Sequence, residues 1–403
     1  MNSLKINKVN KTIIGNIKIT GSKSETNRLL ILQQFYQNLK IENVSNSDDS
    51  KLMLQALATN SNEINIGHAG TAMRFLTAYF SVKENSEIVL TGSHRMRNRP
   101  IKILVDALRE LGAEIQYLEK KGYPPLKISG KKLVKDFVEI DGNVSSQYIS
   151  ALLLIAPSLK NGLKLKFKNE VTSVPYIKMT LQLLADLGIK YSWEANVISI
   201  QPKRIIEAKT VVVESDWSSA SYYYSLVALS LNSTIKLSFY KKDSLQGDSV
   251  LATIYKDLGV ETTFESNSIL LNNSKKITPK PLTLDLKSAP DIAQTIAVTC
   301  FGLGIECFLS GLHTLKIKET DRLVALKTEI EKLGGEVLIT NETLHLKPST
   351  KINEDICIST YDDHRMAMAF APLATKVSMI VEDPHVVSKS YPSFWKDFEK
   401  ITG

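Results

Sequence analysis

Four stretches of the chain share one pattern of apolar and polar positions. In each, an amphipathic run reaches a glycine and continues into alternating residues: LRELGAEI at 108–115, LLADLGIKY at 183–191, YKDLGVET at 255–262 and IEKLGGEV at 330–337. A glycine just beyond the last apolar turn is a common end of a helix. The pattern predicts four helices that each lead into a strand and stop at Gly112, Gly188, Gly259 and Gly334.

A second kind of helix recurs and is apolar on almost every side, which is typical of buried helices. Its openings are SETNRLLIL from 24, TAMRFLTAYF from 71, SQYISALLLIA from 146, SSASYYYSLVAL from 218, DIAQTIAVTCF from 291 and HRMAMAFAPLA from 364. From the second onward, the starts lie about 72 to 75 residues apart. A fixed period of this length indicates a repeated α/β module, and the economical architecture has six modules, three in each half.

This repeat predicts the fold class and the domain organisation. We expect an α/β (α+β) protein of two similar domains, since a chain of 403 residues is long enough for two sizeable cores. One domain is expected to span residues 21–215. The other is expected to be discontinuous, with residues 1–20 joining residues 216–403.

The composition is that of an ordinary globular protein, with 43% hydrophobic and 23% charged residues. A formal net charge of +8 allows anionic partners. The densest basic stretch, KLKFK at 164–168, places its lysines on one face of a predicted strand. No aromatic stacking platform accompanies them, so we interpret this face as solvated and predict no nucleic-acid partner.

The cysteines and the chain start bear on localisation. Cys300, Cys307 and Cys357 have neither disulfide-framework nor zinc-site spacing, which fits a reducing compartment. The start, MNSLKINKVNK, lacks the apolar core of a signal peptide. The longest uncharged runs, such as 292–305, are shorter than the roughly 18 residues of a spanning helix. We therefore expect a soluble cytoplasmic protein that does not bind membranes.

Several predicted helix starts carry cations, which the helix dipole disfavours at that end. The stretch SNSDDSKLMLQAL at 45–57 follows the usual capping and dipole preferences, because a serine and two aspartates precede its apolar run. The opposite pattern occurs at starts that carry Lys23 and Arg28, Arg74, Lys318 and Arg322, and His364 with Arg365. Free helical N–H groups beside Lys or Arg bind phosphate and carboxylate well. The chain is therefore predicted to bind ligands with several negative charges.

A set of motifs runs in order from about residue 21 to residue 395: GSKSETNR, AGTAMRFL, RNRPIKILVDALRELGA, SSQY, SVPYI, ESDWSSASYY, APDIAQTIA, KIKETDRL, YDDHRMAMAF and VSKSYPSFW. Taken together, they resemble the EPSP synthase (3-phosphoshikimate 1-carboxyvinyltransferase) family. The resemblance implies two domains, each of three βαβαββ units, in an inside-out α/β barrel. It also implies transfer of the enolpyruvyl group of phosphoenolpyruvate (PEP) to the 5-hydroxyl of shikimate 3-phosphate (S3P), on the route to chorismate and the aromatic amino acids.

The resemblance also implies which residues bind the two substrates, and these come from both predicted domains. The S3P site would consist of Lys23, Ser24, Arg28, Ser145, Ser146, Gln147, Ser173, Tyr176, Asp291, Thr314 and Lys318. PEP would meet Lys23, Gly70, Arg99 and Gln147 around its phosphate, and Arg322, Arg365 and Lys389 around its carboxylate. We expect the active site in the cleft between the domains, and closure of the domains on the substrates.

The proton transfers of this reaction are expected to use carboxylates and a lysine. Asp291 would take the proton of the 5-hydroxyl, while Lys23 and Glu319 would handle the methylene proton and the departing phosphate. No metal is predicted, because the histidines form no i, i+4 pair. No cofactor is expected either, and the family's monomeric state is carried over.

Three residues depart from the commonest family pattern. His68 stands where Asn usually precedes AGT, Phe75 where Pro often follows TAMR, and Thr314 where Asn usually lies ahead of KETDR. The first two flank the expected PEP pocket. The response to glyphosate, the family's competitive inhibitor, therefore does not follow from the resemblance.

Three other interpretations are open. The sister enolpyruvyl transferase that acts on UDP-N-acetylglucosamine shares the fold, and that family shows a KN pair near the first helix and a catalytic Cys on a loop in the first half. Here SKSETNR replaces the pair, and all three cysteines lie beyond residue 299. The RNA 3′-terminal phosphate cyclase family is built from similar modules but gives no reason for KETDR and SSQ together. A non-catalytic anion-binding relative is disfavoured by the presence of Asp291, Glu319 and Lys389.

Overall fold

The structure is a computed structural model that describes residues 3–171, 174–273 and 280–403. Its strands are β1 (Ser3–Ile6), β2 (Ile14–Ile17), β3 (Leu39–Glu42), β4 (Glu63–Asn65), β5 (Glu87–Thr91), β6 (Glu114–Tyr117), β7 (Leu126–Ser129), β8 (Phe137–Ile140), β9 (Leu163–Phe167), β10 (Tyr191–Glu194), β11 (Val197–Ile200), β12 (Lys209–Val212), β13 (Ser233–Ser238), β14 (Glu261–Phe264), β15 (Ser268–Asn273), β16 (Leu282–Asp285), β17 (Cys307–Ser310), β18 (Val337–Ile339), β19 (Leu344–Leu346), β20 (Ile356–Ile358) and β21 (Met379–Glu382).

The helices lie mostly between these strands. The α-helices are α1 (Lys23–Phe35), α2 (Asp48–Ala58), α3 (Gly70–Val82), α4 (His94–Arg97), α5 (Lys102–Leu111), α6 (Ser146–Ile155), α7 (Val174–Asp186), α8 (Trp217–Leu229), α9 (Leu251–Asp257), α10 (Ala293–Leu303), α11 (Arg322–Lys332), α12 (His364–Phe370) and α13 (Phe394–Thr402). Short 3₁₀ helices cover Ala156–Ser158, Gly247–Val250, Pro290–Ile292, His313–Ile317, Ala371–Thr375 and Pro384–Lys389.

The contacts within the chain divide it into two compact units. The continuous unit is Gly21–Val213, and the split unit joins Met1–Thr20 to Glu214–Gly403. The chain start belongs to the split unit because β1 pairs with β21 and β2 pairs with β13. Each of these pairs joins the first residues of the chain to a strand far along it.

Within the described residues, four sheets share one strand order, in which a parallel pair is followed by an antiparallel hairpin. They are β4-β5-β7-β6 and β8-β9-β11-β10 in the continuous unit, and β2-β13-β15-β14 and β16-β17-β19-β18 in the split unit. In the first, β4 runs parallel to β5 with Ile64 opposite Leu90, and β5 runs antiparallel to β7 with Ile88 opposite Ile128. Two smaller sheets are the parallel pair β3-β12 and the sheet β1-β21-β20.

The order of elements confirms the predicted repeat. The segments β8-α6-β9-α7-β10-β11 and β16-α10-β17-α11-β18-β19 each run βαβαββ along the chain, and β4-α3-β5-α5-β6-β7 does so with the short helix α4 inserted before α5. Their helices carry the apolar residues that the sequence pattern assigned to buried faces, as in α10, whose first nine residues are all buried. The mixed α/β fold of repeated units is therefore confirmed.

The predicted helix ends are also confirmed. Gly112 ends α5 with φ 110°, and Gly334 follows α11 with φ 96°, a backbone conformation that side-chain-bearing residues rarely adopt. The last apolar helix begins at His364, as the sequence pattern predicts. It is α-helical over His364–Phe370 and continues as a 3₁₀ helix, because Pro372 has no N–H for the α-helical ladder.

Among the described residues, no helix combines the length and the hydropathy that crossing a membrane requires.

Candidate active site

Arg322 lies at the centre of a cluster of three carboxylates in the split unit, of which Asp363 is buried and Asp291 and Glu319 are half-buried. It is the first residue of α11, and its side chain is 2% exposed. Its guanidinium donates from Nε to Asp363 Oδ2 over 2.7 Å, from Nη1 to Asp291 Oδ1 over 2.9 Å and from Nη2 to Glu319 Oε2 over 2.8 Å. Three carboxylates around one cation leave an excess of negative charge, which is tolerated in a buried site when further cations are near.

Further cations complete this cluster. Lys318 Nζ lies 3.4 Å from Asp291 Oδ1, and Arg365 Nη2 lies 3.2 Å from Asp291 Oδ2. Lys389 Nζ donates to Glu319 Oε1. With the central arginine, the described ion pairs set four cations against three carboxylates. The excess positive charge suits an anionic ligand.

These cations determine how two of the carboxylates ionise. Burial alone would raise the pKa of Asp291, but the charges of Arg365 and its neighbouring cations hold that pKa well below its usual range. Burial is likewise outweighed at Glu319, where Arg322 and Lys389 hold the pKa well below normal. Both groups are therefore ionised at neutral pH and can accept protons.

Helix capping places several of these side chains. Asp321 caps α11, and its Oδ1 accepts from the N–H groups of the second and third helical residues at 3.2 Å each. Arg322 is thereby fixed in the first turn of the helix. Asp363 caps α12 in the same way and accepts from Arg365 N over 2.9 Å. One aspartate thus caps a helix and binds the central arginine of the cluster.

His364 differs from the sequence expectation, which counted it among the cations at helix starts. Its side chain is 2% exposed, and Nδ1 lies 3.7 Å from Asp363 Oδ1. Neither ring nitrogen has a hydrogen-bond partner among the described residues. Burial, reinforced by the charge of Arg365, holds the pKa of His364 well below normal. The ring is therefore a neutral imidazole at neutral pH, and the expectation of a cation here is wrong.

Among its described residues, the continuous unit contains two buried arginines, Arg28 and Arg74, and the first of them lies in a different environment. Arg28, on α1, is 3% exposed. Its guanidinium donates to uncharged oxygens: Thr180 Oγ1 at 2.7 Å, Ser24 O at 2.7 Å, Ser150 Oγ at 3.0 Å and Tyr176 O at 3.2 Å. Burial lowers the pKa of Arg28 to about 10. The nearby Glu25 carboxylate raises this pKa only in part. A buried cation whose described hydrogen-bond partners are all uncharged can still bind an external anion.

In the same unit α1 and α3, like α5, begin without a side-chain cap. The residues before α1 and α3 are Ser22 and Ala69, and neither side chain accepts a bond from the helix. Lys23 is the first residue of α1, and Gly70 is the first residue of α3. A Cβ built on Gly70 would lie 2.6 Å from Arg99 Nη1, so the guanidinium approaches the helix start more closely than any larger residue allows. These starts suit phosphate groups.

The SSQ segment opens α6. Ser145 caps the helix by accepting from Gln147 N over 3.4 Å. Gln147 Nε2 donates to Thr71 Oγ1 over 3.3 Å, which joins the starts of α6 and α3. Ser146, beside them, is buried. Ser173, which the resemblance assigns to S3P, lies outside the described residues.

The three residues that depart from the family pattern have different surroundings. His68 Nδ1 lies 2.9 Å from Ser93 Oγ. Phe75 is buried, and the guanidinium carbon of Arg28 lies 5.4 Å from its ring centroid, so the ring supports that arginine through a cation–π contact. Thr314 Oγ1 is buried and has no hydrogen-bond partner among the described residues.

The structure brings most of the expected residues of the split unit into one cluster: Asp291, Lys318, Glu319, Arg322, Arg365 and Lys389. In the continuous unit, it joins Arg28 to Ser24 and Tyr176. Sequence reasoning missed Asp363, although an aspartate directly before a helix start is a readable capping signal. It also missed the contact between Ser218 and Asp248, residues 30 positions apart that no local pattern connects.

Comparison with known sequences gives strong matches over nearly the whole chain. The family model for EPSP synthase (3-phosphoshikimate 1-carboxyvinyltransferase) matches residues 58–398. The 3-phosphoshikimate 1-carboxyvinyltransferase of Bacteroides fragilis (strain YCH46) is 44% identical over 388 residues, which cover 95% of this chain and 94% of that protein. The protein of the same name from Histophilus somni (strain 2336) is 35% identical over 424 residues, covering 97% of each chain.

Solved structures share the fold. EPSP synthase from Acinetobacter baumannii superposes with a TM-score of 0.83 at 20% identity, covering 99% of this chain and 98% of that chain. The enolpyruvyl transferase NikO from Streptomyces tendae gives a TM-score of 0.75 at 12% identity, covering 99% and 96%. At these identities the structural likeness shows the fold, whereas the sequence matches show the family. The chain belongs to the EPSP synthase family.

Proposed function

We propose that this protein transfers the enolpyruvyl group of PEP to the 5-hydroxyl of S3P and releases phosphate. The relative named 3-phosphoshikimate 1-carboxyvinyltransferase, 44% identical over 95% of the chain, supports this activity over transfer to UDP-N-acetylglucosamine. The structural observation that carries the proposal is the cluster of Asp291, Glu319 and their cations. A transfer between two anionic substrates needs proton-accepting groups beside positive charges, and this cluster supplies both.

We assign S3P to residues of both units. They are Lys23, Ser24, Arg28, Ser145, Ser146, Gln147, Ser173, Tyr176, Asp291, Thr314 and Lys318. The environment of Arg28 supports this assignment, because the described hydrogen bonds of its buried guanidinium all go to uncharged oxygens, and the carboxylate of S3P would add a charged hydrogen-bond partner. The buried hydroxyl of Thr314 has no described partner and is free to bond a hydroxyl of the same ligand.

We assign the phosphate of PEP to Lys23, Gly70, Arg99 and Gln147, and its carboxylate to Arg322, Arg365 and Lys389. The approach of Arg99 to the uncapped start of α3 supports the phosphate site. For the carboxylate, Arg365 is better placed than Arg322. Arg322 already donates to three carboxylates, whereas both described polar contacts of the Arg365 guanidinium use Nη2.

The first chemical step needs a proton acceptor at the 5-hydroxyl of S3P, for which we propose Asp291. Before the substrates bind, the neighbouring cations keep the pKa of Asp291 low, and Asp291 is therefore a weak base. Carboxylate and phosphate groups bound to those cations would offset their charge and raise this pKa towards neutrality. The substrates would therefore strengthen the base that removes the hydroxyl proton.

The S3P oxygen then bonds to C2 of PEP while the methylene carbon gains a proton, which gives a tetrahedral intermediate. We propose that Lys23 and Glu319 handle this proton and the departing phosphate. Glu319 accepts from Lys389, so a proton can move from that ammonium group through the carboxylate. In the second step the methyl group returns a proton to the group that donated it, which forms the enol double bond. The departing phosphate takes up the proton that Asp291 received from the 5-hydroxyl, so the side chains return to their starting protonation states.

We further propose that the protein acts as a cytoplasmic monomer without a metal or other cofactor. The cysteines Cys300, Cys307 and Cys357 are free thiols, as expected in a reducing compartment.

The experiment that tests the function measures inorganic phosphate released from PEP by the purified protein, with and without S3P. We expect release that depends on S3P, with one enolpyruvyl product for each phosphate. Release that depends on UDP-N-acetylglucosamine instead would establish the sister activity. No release with either acceptor would contradict the proposal.

A further inference from the structure

Arg365 is held on one side by a serine and an aspartate that have no part in the scheme above. Its Nη2 donates to Ser218 Oγ over 3.3 Å, while the same nitrogen lies 3.2 Å from Asp291 Oδ2. The Ser218 hydroxyl in turn donates to Asp248 Oδ2. Ser218 is the second residue of α8, and Asp248 lies in the 3₁₀ helix Gly247–Val250.

The chemistry of the three side chains determines which of them donates in each hydrogen bond from Arg365 to Ser218 to Asp248. An arginine can only donate hydrogen bonds, and a serine hydroxyl has one hydrogen and two lone pairs. Because the Ser218 hydrogen points to Asp248, the oxygen lone pairs face Arg365 and can accept from it. Asp248 thus determines which way the hydroxyl points, and through it where the guanidinium edge is held.

The Asp248 segment is itself anchored to the start of α8. Gln246 Oε1 accepts from Trp217 N over 2.9 Å, and Gln246 Nε2 donates to Ser215 O over 2.9 Å. The same amide lies 3.4 Å from Glu214 Oε2. These bonds hold Asp248 in place relative to the helix that carries its serine partner.

The surroundings of Asp248 disfavour the ionised form of its carboxyl group. It is 6% exposed, and burial, reinforced by the charge of Asp291, raises its pKa to about 6. The other titratable groups near Arg365 include Asp216, Tyr222 and Asp291, together with Arg322 and the neutral His364. An amide would fill the same space without the desolvation penalty, so the acid at this position indicates a role beyond packing.

We propose that Asp248 and Ser218 are positioning residues that fix one edge of the Arg365 guanidinium, so that its other N–H groups meet the carboxylate of PEP. The inference rests on the proposed function, in which Arg365 binds that carboxylate. Both described polar contacts of this guanidinium use Nη2, which leaves Nε and Nη1 for a ligand. Without this anchor, the Arg365 side chain would lose conformational entropy when PEP binds. That cost would weaken the binding of the PEP carboxylate, which depends on the direction of the N–H groups.

The test compares variants of the full chain by steady-state kinetics. Asp248→Asn removes the charge, Ser218→Ala removes the hydroxyl, and Ser218→Thr keeps it. Ser221→Ala is the matched control, because Ser221 lies on the same helix and its hydroxyl bonds Ser218 O and Thr295 Oγ1. Asp248→Asn and Ser218→Ala should raise KM for PEP about tenfold, which corresponds to about 1.4 kcal/mol. KM for S3P should not change, and Ser218→Thr and the control should behave as the wild-type protein does.

Two results would overturn the inference while leaving the proposed function intact. One is an unchanged KM for PEP in both Asp248→Asn and Ser218→Ala. The other is an equal rise in KM for both substrates together with a lower free energy of unfolding, since that pattern marks a purely structural role. If the wild-type protein showed no S3P-dependent phosphate release, the proposed function would fail and the inference with it.

Discussion

Arg322 and Asp363 form an ion pair that water scarcely reaches. The arginine Nε donates to the aspartate Oδ2 over 2.7 Å, and the two side chains are 2% and 0% exposed. The same aspartate caps α12, so one carboxylate fixes both a helix start and the central cation of the cluster. A buried charge that loses its partner is strongly destabilising. The stability of the split unit therefore depends on this pair.

We expect Asp363→Ala to lower the free energy of unfolding by about 3–5 kcal/mol, because it leaves a buried arginine short of a counter-charge. Asp321→Ala is the matched control. It removes the cap of α11 without breaking a buried ion pair, and should lower the free energy by about 1 kcal/mol. Urea unfolding followed by circular dichroism measures both. If both variants lost the same free energy of unfolding, the ion pair between Arg322 and Asp363 would contribute no stability beyond that of a helix cap.

Lys23→Met should abolish S3P-dependent phosphate release while leaving the fold intact. Lys23 is partly exposed at the first position of α1, so its removal should change the free energy of unfolding by less than about 0.5 kcal/mol. We expect turnover to fall by at least about 10²-fold, since a charge at both substrates and a proton-transfer group are lost. Lys160→Met, at an exposed position, is the control. Near-normal turnover in Lys23→Met would refute its role.

Arg28→Ala should lose stability as well as activity. The guanidinium bonds Thr180 on α7 and Ser150 on α6, so it links three helices of the continuous unit. Removing it should lower the free energy of unfolding by about 2 kcal/mol or more. Arg28→Lys keeps the charge but loses the planar set of donors, and should raise KM for S3P more than KM for PEP. An unchanged KM for S3P in Arg28→Lys would contradict the assignment of S3P to this arginine.

The raised pKa of Asp248, about 6 because of burial and Asp291, gives its contribution to stability a definite sign. A carboxyl whose pKa is higher in the folded chain than in the unfolded chain contributes stability that is fully present below the unfolded value. That contribution is lost as the pH rises from about 4 through about 6. Asp248→Asn cannot ionise, so it should gain up to about 3 kcal/mol relative to the wild-type protein between pH 4 and pH 7. Urea unfolding of both proteins at several pH values measures this, and a difference independent of pH would contradict it.

The assignment of each substrate to residues of both units predicts a conformational response. We expect the radius of gyration in solution to fall when S3P is added, because ligand contacts from two units favour a closed state. Small-angle X-ray scattering with and without S3P measures this, and PEP alone serves as a comparison. An unchanged radius of gyration with saturating S3P would count against closure.

The repeat of helices and strands was predictable from the sequence because it is written in local patterns. Apolar periodicity, a glycine at a helix end and an aspartate or serine at a helix start act over a few residues. Gly112 ends α5 for this reason, and Ser47 caps α2 by accepting from Ser50 N. Cations at helix starts likewise indicated anionic ligands, and the ordered motifs identified the family.

The tertiary structure decided which charges meet and which groups lose contact with water. Arg322 and Asp363 are 41 positions apart, and no rule of local spacing joins them. Burial made His364 neutral and raised the pKa of Asp248, because the energy of a charge depends on the atoms that replace its water. The sequence by itself therefore determined the modules, and it predicted that the ligands are anionic. The pairing of side chains, and with it their ionisation, was decided only when the modules packed and excluded water.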